Sequence, residues 1–249
     1  MKAVGYQTSL PATDALSLQD IVLPKPVASG RDILVRVEAV SVNPVDTKVR
    51  RRAEPEAGQY KVLGWDAAGE VVDVGAEVSL FKPGDKVYYA GSLTRSGSNS
   101  EYQLVDERLV AIMPDNLSYA EAAALPLTAI TAWELLFDRL EIQQPSLKHP
   151  RQVLLVTGAA GGVGSILLQL ARKLTSVTIV ATASRPETKQ WVSELGAHYV
   201  LDHSQPLVAQ LQALDINSVS HVASLTHTDQ HYSELVQLLA PQGKLALID

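Results

Sequence analysis

Residues 153–165, Val-Leu-Leu-Val-Thr-Gly-Ala-Ala-Gly-Gly-Val-Gly-Ser, leave a chain few ways to fold. The apolar run Val153 to Val156 breaks into a glycine-rich turn and resumes as an amphipathic pattern from Ser165 to Leu174. That order predicts a strand, a tight turn and a helix. Gly158, Gly161, Gly162 and Gly164 let the backbone bend sharply and approach a phosphate that a side chain would exclude. The free N–H groups at the helix start then face the anion. Such a turn is a weak signal alone and a good one between these two elements.

The elements around this turn differ on its two sides. Before it, strands are predicted at Lys2–Gln7, Ser17–Leu23, Asp32–Ser41, Ala67–Val74, Lys86–Ala90, Glu101–Val105 and Leu109–Ile112. In the third, Ile33, Val35, Val37 and Ala39 alternate with Leu34, Arg36 and Glu38, the period of a strand with two unlike faces. Turn signals such as Pro24-Lys-Pro26 and Lys82-Pro-Gly-Asp85 separate them, which predicts a compact barrel-like β domain. Near Ser118 the character changes. Ser118-Tyr-Ala-Glu121 fits a capping box, and a second helical pattern runs from Pro126 through Leu127, Ile130, Leu135 and Leu140. Gln143 to Pro150 reads as a polar connector.

From Gln152 onward strands alternate with helices. Strands are expected at Val153–Val156, Val177–Ala181, Tyr199–Leu201, Val219–Ala223 and Lys244–Ile248. Helices are expected at Ser165–Leu174, Glu187–Leu195, Pro206–Ala213 and Thr228–Leu239. Alternation of this kind builds βαβ units on a parallel sheet, so the fold class is α/β.

Composition narrows the function classes. A net charge of −6 argues against a broad nucleic-acid or anionic-membrane surface. No signal-peptide core opens the chain and no apolar run is long enough to span a bilayer, so a cytoplasmic location is expected. The sequence contains no cysteine, which excludes disulfides, cysteine nucleophiles and thiolate metal ligands among these residues.

The second strand of a dinucleotide site normally ends in an acidic residue about 20 positions after the glycine turn, where it binds the ribose hydroxyls of NAD. Here that strand ends in Ser184-Arg185, with no carboxylate before Glu187. A hydroxyl and a guanidinium favour a 2′-phosphate, so NADP(H) is the expected cofactor. Thr157-Gly-Ala-Ala-Gly-Gly-Val-Gly164 also matches the turn of short-chain dehydrogenases. Those carry it near the N-terminus and use a Tyr-x-x-x-Lys pair; here neither Tyr199 nor Tyr232 has a lysine four residues on, and that reading fails.

Five segments, Val40–Thr47, Leu63–Val71, Lys82–Val87, Leu127–Ala132 and Ala159–Gly164, together resemble the medium-chain dehydrogenase/reductase superfamily. Within it the chain looks like the zinc-independent quinone oxidoreductase (zeta-crystallin-like) branch, near proteins called zinc-type alcohol dehydrogenase-like. The resemblance implies a GroES-like β-barrel catalytic domain over residues 1–125 and a Rossmann NADP-binding domain over 126–249. It also implies a further strand and a return segment after Asp249, so C-terminal truncation is expected, and a homodimer is the implied assembly. In zinc members of the superfamily the segments matching Gly64-Trp-Asp66 and Asn43-Pro-Val-Asp46 supply a histidine and a cysteine ligand. This chain has Trp65 and Asn43 there, so no metal site is expected. His227 and His231 have helix-face spacing but no evident third partner.

Roles follow from the motifs. Gly161, Gly162, Val163 and Gly164 are expected to bind the pyrophosphate, and Ser184 and Arg185 the 2′-phosphate. Thr131 matches the family's cofactor-contacting threonine and is expected near the nicotinamide half. His203 and Thr226 follow the third and fourth strands of the parallel sheet, where ligands collect. Asn43 is the candidate for hydrogen bonding near nicotinamide and substrate. Asp46 and Tyr60 are further pocket candidates with a structural role as the alternative, and Asp66 is expected to be a buried, paired carboxylate.

Without a metal, a conjugated acceptor is the easier one, because hydride adds at carbon while charge delocalises to a distant oxygen. The expected reaction is therefore NADPH-dependent reduction of a quinone or α,β-unsaturated carbonyl (an enone). A non-catalytic NADPH-binding protein or an inactive truncated form is the alternative, and a metal-dependent alcohol dehydrogenase a third.

Overall fold

A computed structural model describes residues 1–142 and 152–248; the expected connector Gln143–Pro150 lies outside the described residues. The chain divides into two compact units, Met1–Leu127 and Thr128–Asp249.

The first unit contains β1 (Lys2–Tyr6), β2 (Gln19–Val22), β3 (Asp32–Ser41), α1 (Pro44–Arg52), β4 (Lys61–Val62), β5 (Asp66–Val74), β6 (Lys86–Ala90), β7 (Tyr102–Asp106), β8 (Val110–Ile112) and α2 (Tyr119–Ala123). Five strands form an antiparallel sheet in the order β7-β3-β5-β6-β8, and a second sheet runs β2-β1-β4. A bridge between Ala3 and Ser100 joins β1 to the segment leading into β7. Alternation decides the faces. Ile33, Val35, Ala67, Val71, Val87, Tyr89 and Val105 pack into one core, while Ala68 faces the other way with Ala122 and Ala123 of α2. The capping box holds, with the Ser118 N–H donating to Glu121 at 2.8 Å and the Glu121 N–H to Ser118 Oγ at 3.3 Å.

The second unit begins within α3 (Pro126–Trp133), which passes into a π-helical turn, Glu134–Arg139. It continues through β9 (Val153–Thr157), α4 (Gly162–Leu174), β10 (Thr178–Thr182), α5 (Pro186–Glu194), β11 (Tyr199–Leu201), α6 (Leu207–Gln212), β12 (Val219–Ser224), α7 (Thr228–Leu238) and β13 (Leu239–Leu247). The sheet order is β11-β10-β9-β12-β13, all neighbours parallel. Within the unit this is the 3-2-1-4-5 order of a dinucleotide-binding sheet, with its switch point between β9 and β12. Both faces are covered: Leu154, Val156, Ile179 and Ala181 pack into one cluster, Leu155, Val180 and Val222 into another. Helix α4 buries Gly164, Leu167, Leu168 and Ala171, one stripe at helical spacing.

Three expectations need correction. Helix α1 was not foreseen, although Pro44 at its first turn and Asp46 reaching back to the Asn43 N–H are ordinary start signals. Strand β13 begins at Leu239 rather than Lys244, with a register shift opposite Val219 and His221. Among the described residues one helical run, Tyr119–Arg139, does reach the length and hydropathy (1.2) of a membrane span. It is interrupted ahead of Pro126, and Ala122, Ala123, Leu135 and Leu136 are buried in the protein's own cores.

Candidate functional site

In the second unit the glycine turn joins β9 to α4, at the carboxyl ends of the strands. Each glycine there has its own reason. Gly158 takes φ +68°, and a β-carbon on it would stand 2.7 Å from Thr226 Cγ2. Gly164 is buried, and a β-carbon there would meet the Ala159 carbonyl oxygen at 2.4 Å. Gly161 and Gly162 are exposed, and Gly161 begins the helix without any side-chain cap. The first N–H groups of α4, from Gly162, Val163 and Gly164, thus lack intrahelical acceptors. Val163 turns its side chain toward the core and offers the turn only its backbone. Gly164 has a packing role that the sequence reading did not separate from anion binding.

The rim of this turn is built by hydroxyls. Thr157 Oγ1 donates to Ser224 Oγ at 3.2 Å, and Ser224 shares a 2.7 Å hydrogen bond with Thr228 Oγ1, tying β9, β12 and α7 together. Thr226 lies over Gly158, as the sheet-end argument expects, and hydrogen-bonds His227 at 2.8 Å. His203 sits at the other edge of the sheet, edge-on to His231 with ring centroids 6.5 Å apart. Thr131 lies on α3, one turn after Thr128. Thr128 was missed by the sequence reading: its Cγ2 stands 3.2 Å from where a β-carbon on Gly162 would be. The i, i+3 spacing of the two threonines was the available signal.

Beyond β10, Ser184 is half-buried and Arg185 exposed at the start of α5. Arg185 Nε pairs with Glu187 at 3.1 Å, both side chains about two-thirds open to solvent. An exposed pair of this kind contributes about 0–1 kcal/mol, so a phosphate can displace the carboxylate. No carboxylate lies in β10; its last residue, Thr182, has a buried Oγ1 with no hydrogen-bond partner among the described residues.

In the first unit Asn43, Asp46 and Asp66 form one buried polar knot. The Asn43 N–H donates to Asp46 Oδ2 at 2.7 Å, and its side-chain amide donates to Asp66 Oδ2 at 2.9 Å. Asp66 Oδ1 accepts from the Leu127 N–H at 2.8 Å. Burial pushes the Asp66 carboxyl up to about 6, with the Asp46 charge adding to the shift and the two hydrogen bonds opposing it. Asp46 is also raised by burial, against N–H donors from Asn43 and Gly64. Asp66 is buried, and its partners are an amide and a backbone N–H. Asn43, only 7% exposed and bonded on both sides, is the hub of this knot. Tyr60 lies apart from it, beside Gly5 of β1.

These features have known counterparts. Residues 29–115 match the alcohol dehydrogenase GroES-like domain and residues 162–248 the zinc-binding dehydrogenase domain. A zinc-type alcohol dehydrogenase-like protein of Staphylococcus aureus is 41% identical over 248 residues, covering 100% of this chain and 73% of its own length. The chain belongs to the medium-chain dehydrogenase/reductase superfamily. Among its solved members, a Rhizobium etli CFN 42 protein assigned to the zinc-dependent alcohol dehydrogenases is 57% identical, with TM-score 0.94 over 100% of this chain and 72% of that one. Escherichia coli quinone oxidoreductase, solved with NADPH, is 26% identical with TM-score 0.83 over 98% of this chain and 72% of its own.

Several of these names imply zinc. Among the described residues no three His, Cys, Asp or Glu side chains gather to hold a metal. Asp66 accepts from the Asn43 amide and the Leu127 N–H, and Trp65 packs into an apolar cluster with Tyr6 and Leu63. This donor set does not fit a zinc site of the superfamily.

Proposed function

We propose that the chain is an NADPH-dependent oxidoreductase that reduces quinones or α,β-unsaturated carbonyls without zinc. The observation that carries this reading is the uncapped start of α4 at Gly161–Gly164, followed by a second strand that ends in Ser184-Arg185 instead of a carboxylate. The N–H groups of Gly162, Val163 and Gly164 would hold the pyrophosphate, helped by the positive end of the helix. Ser184 and Arg185 would hold the 2′-phosphate, with the guanidinium released from Glu187. Thr128 and Thr131 would border the nucleotide from α3. When bound, NADPH supplies a hydride equivalent.

The choice of acceptor follows from the donor set. An isolated carbonyl gathers charge on one oxygen, which a Lewis acid stabilises by several kcal/mol. The residues at the expected ligand positions do not form a metal site, so an acceptor that spreads the charge by conjugation suits them better. It gains hydride at carbon and a proton from solvent. The likeness to a quinone oxidoreductase solved with NADPH supports the same choice.

The test is NADPH oxidation by the purified chain against a panel of quinones, enones and simple ketones, with and without a chelator. Turnover confined to conjugated acceptors and unchanged by chelation is expected. Loss of turnover on chelation would refute zinc independence, and tight NADPH binding with no turnover on any acceptor would make the protein a nucleotide binder.

A further inference from the structure

Helices α4 and α5 lie on the same face of the parallel sheet, where Leu167, Leu168 and Ala171 of one and Val192 of the other join a single apolar cluster with Ile179 and Ala181. Their grip on it differs. Helix α4 buries four residues, whereas Val192 is the one buried among the described residues of α5. A helix resting on a single buried side chain depends on other ties to hold its direction. Two such ties are present among the described residues. Lys189 Nζ donates to Asp202 just after β11 at 2.9 Å, and the Trp191 indole N–H donates to Ser165 Oγ of α4 at 2.9 Å. Trp191 is 47% exposed, so apolar burial explains little of an indole at this position. Ser165 follows Gly161 by four residues and Gly162 by three, so it shares their face of α4, one turn beyond the open N–H groups.

We propose that Trp191 is a positioning residue for cofactor selection: by tying α5 to the first turns of α4 it sets the spacing between the start of α4 and Arg185. The inference rests on the NADPH-binding reading above, and all its parts belong to the second unit. In that reading one ligand must reach both helix starts, its pyrophosphate at Gly162–Gly164 and its 2′-phosphate at Arg185. Ser184 takes its place from the sheet, since the neighbouring Ala183 N–H donates to the Leu201 carbonyl at 2.9 Å. Arg185 is different. It opens α5 as the N-cap residue, six residues or about 9 Å of helix from Trp191. Rotation of α5 about Val192 therefore displaces the guanidinium more than it displaces Ser184. NADH lacks the 2′-phosphate and makes no demand on that spacing.

The test is calorimetric titration of wild type, Trp191→Phe, Ser165→Ala and the double variant with NADPH and with NADH. Phenylalanine keeps an aromatic ring and loses the N–H; alanine keeps the helix and loses the acceptor. Each single variant should lower the NADPH-to-NADH affinity ratio about threefold, within the worth of one neutral hydrogen bond, with NADH affinity unchanged. The double variant should fall no further than either single one, because both changes remove the same bond. A merely structural role would lower the melting temperature and weaken both nucleotides alike, leaving the ratio flat. Should Trp191→Phe not fold, Ser165→Ala carries the same comparison alone. A flat ratio in the single variants, or effects that add in the double variant, would overturn the proposal. A wild type that binds neither nucleotide, or both equally, would instead overturn the NADPH reading.

Discussion

Two glycines in the same turn should fail in opposite ways when each is replaced by alanine. At Gly164 the added β-carbon would meet the Ala159 carbonyl oxygen at 2.4 Å and two further Ala159 backbone atoms at 2.6 Å. Ordinary contact begins near 3.4 Å, so the turn or the helix must move by roughly 1 Å. The obstacle is backbone, which cannot swing aside as a side chain would, and the cost belongs at the upper end of the overpacking range, about 3 kcal/mol. For a chain of this size that lowers the melting temperature by about 6–12 °C. At Gly161 the nearest atom would be 3.3 Å away and the site is exposed, so stability should change by less than about 0.5 kcal/mol. Its methyl group, however, would stand where the anion approaches the open N–H groups. Losing one hydrogen bond to a charged group, about 1.5–3 kcal/mol, weakens NADPH binding about 10- to 100-fold. Thermal melts followed by circular dichroism and fluorescence titration with NADPH read the two effects separately. If Gly161→Ala melts and binds like wild type, the pyrophosphate does not use this helix start and the argument fails.

Arg185→Ala should lower the NADPH-to-NADH affinity ratio about tenfold by removing a charge-assisted contact, while the exposed pair with Glu187 adds little to stability; an unchanged ratio would remove Arg185 from the 2′-phosphate site. Ser224→Ala takes away the acceptor of the buried Thr157 hydroxyl and should destabilise by about 1–3 kcal/mol, read by urea melts. Asp66, raised to about 6 in the folded chain against roughly 3.9 unfolded, binds its proton more tightly when folded. Its contribution therefore falls as pH rises between about 4 and 6, and wild type should gain on Asp66→Asn by on the order of 2 kcal/mol between pH 7 and pH 4. Urea melts of both proteins at the two pH values check this; a constant difference would mean that Asp66 titrates normally.

Much of the fold was legible because its signals are local and repeated. Alternation predicted β3 to the residue, turn signals bounded β6, and apolar runs located the strands of the parallel sheet. Short or interrupted elements were not. Strand β4 is two residues long, and Pro241-Gln-Gly243 obscured the first half of β13. Helix α1 announces itself only through Asn43, Pro44 and Asp46, residues that serve equally well as a turn motif. At the site, glycines are legible since each answers a steric demand. Their separate duties, packing for Gly164 and openness for Gly161, depend on neighbours distant in sequence. The contacts Asp66–Leu127 and Thr128–Gly162 bring together residues 61 and 34 positions apart, and no periodicity encodes them.

The most direct measurement follows backbone amide resonances of the deuterated chain during titration with NADPH. The account predicts the largest shifts at Gly162, Val163 and Gly164, with a second set at Ser184 and Arg185 that NADH fails to reproduce. Saturable binding that leaves all five amides unmoved would contradict it.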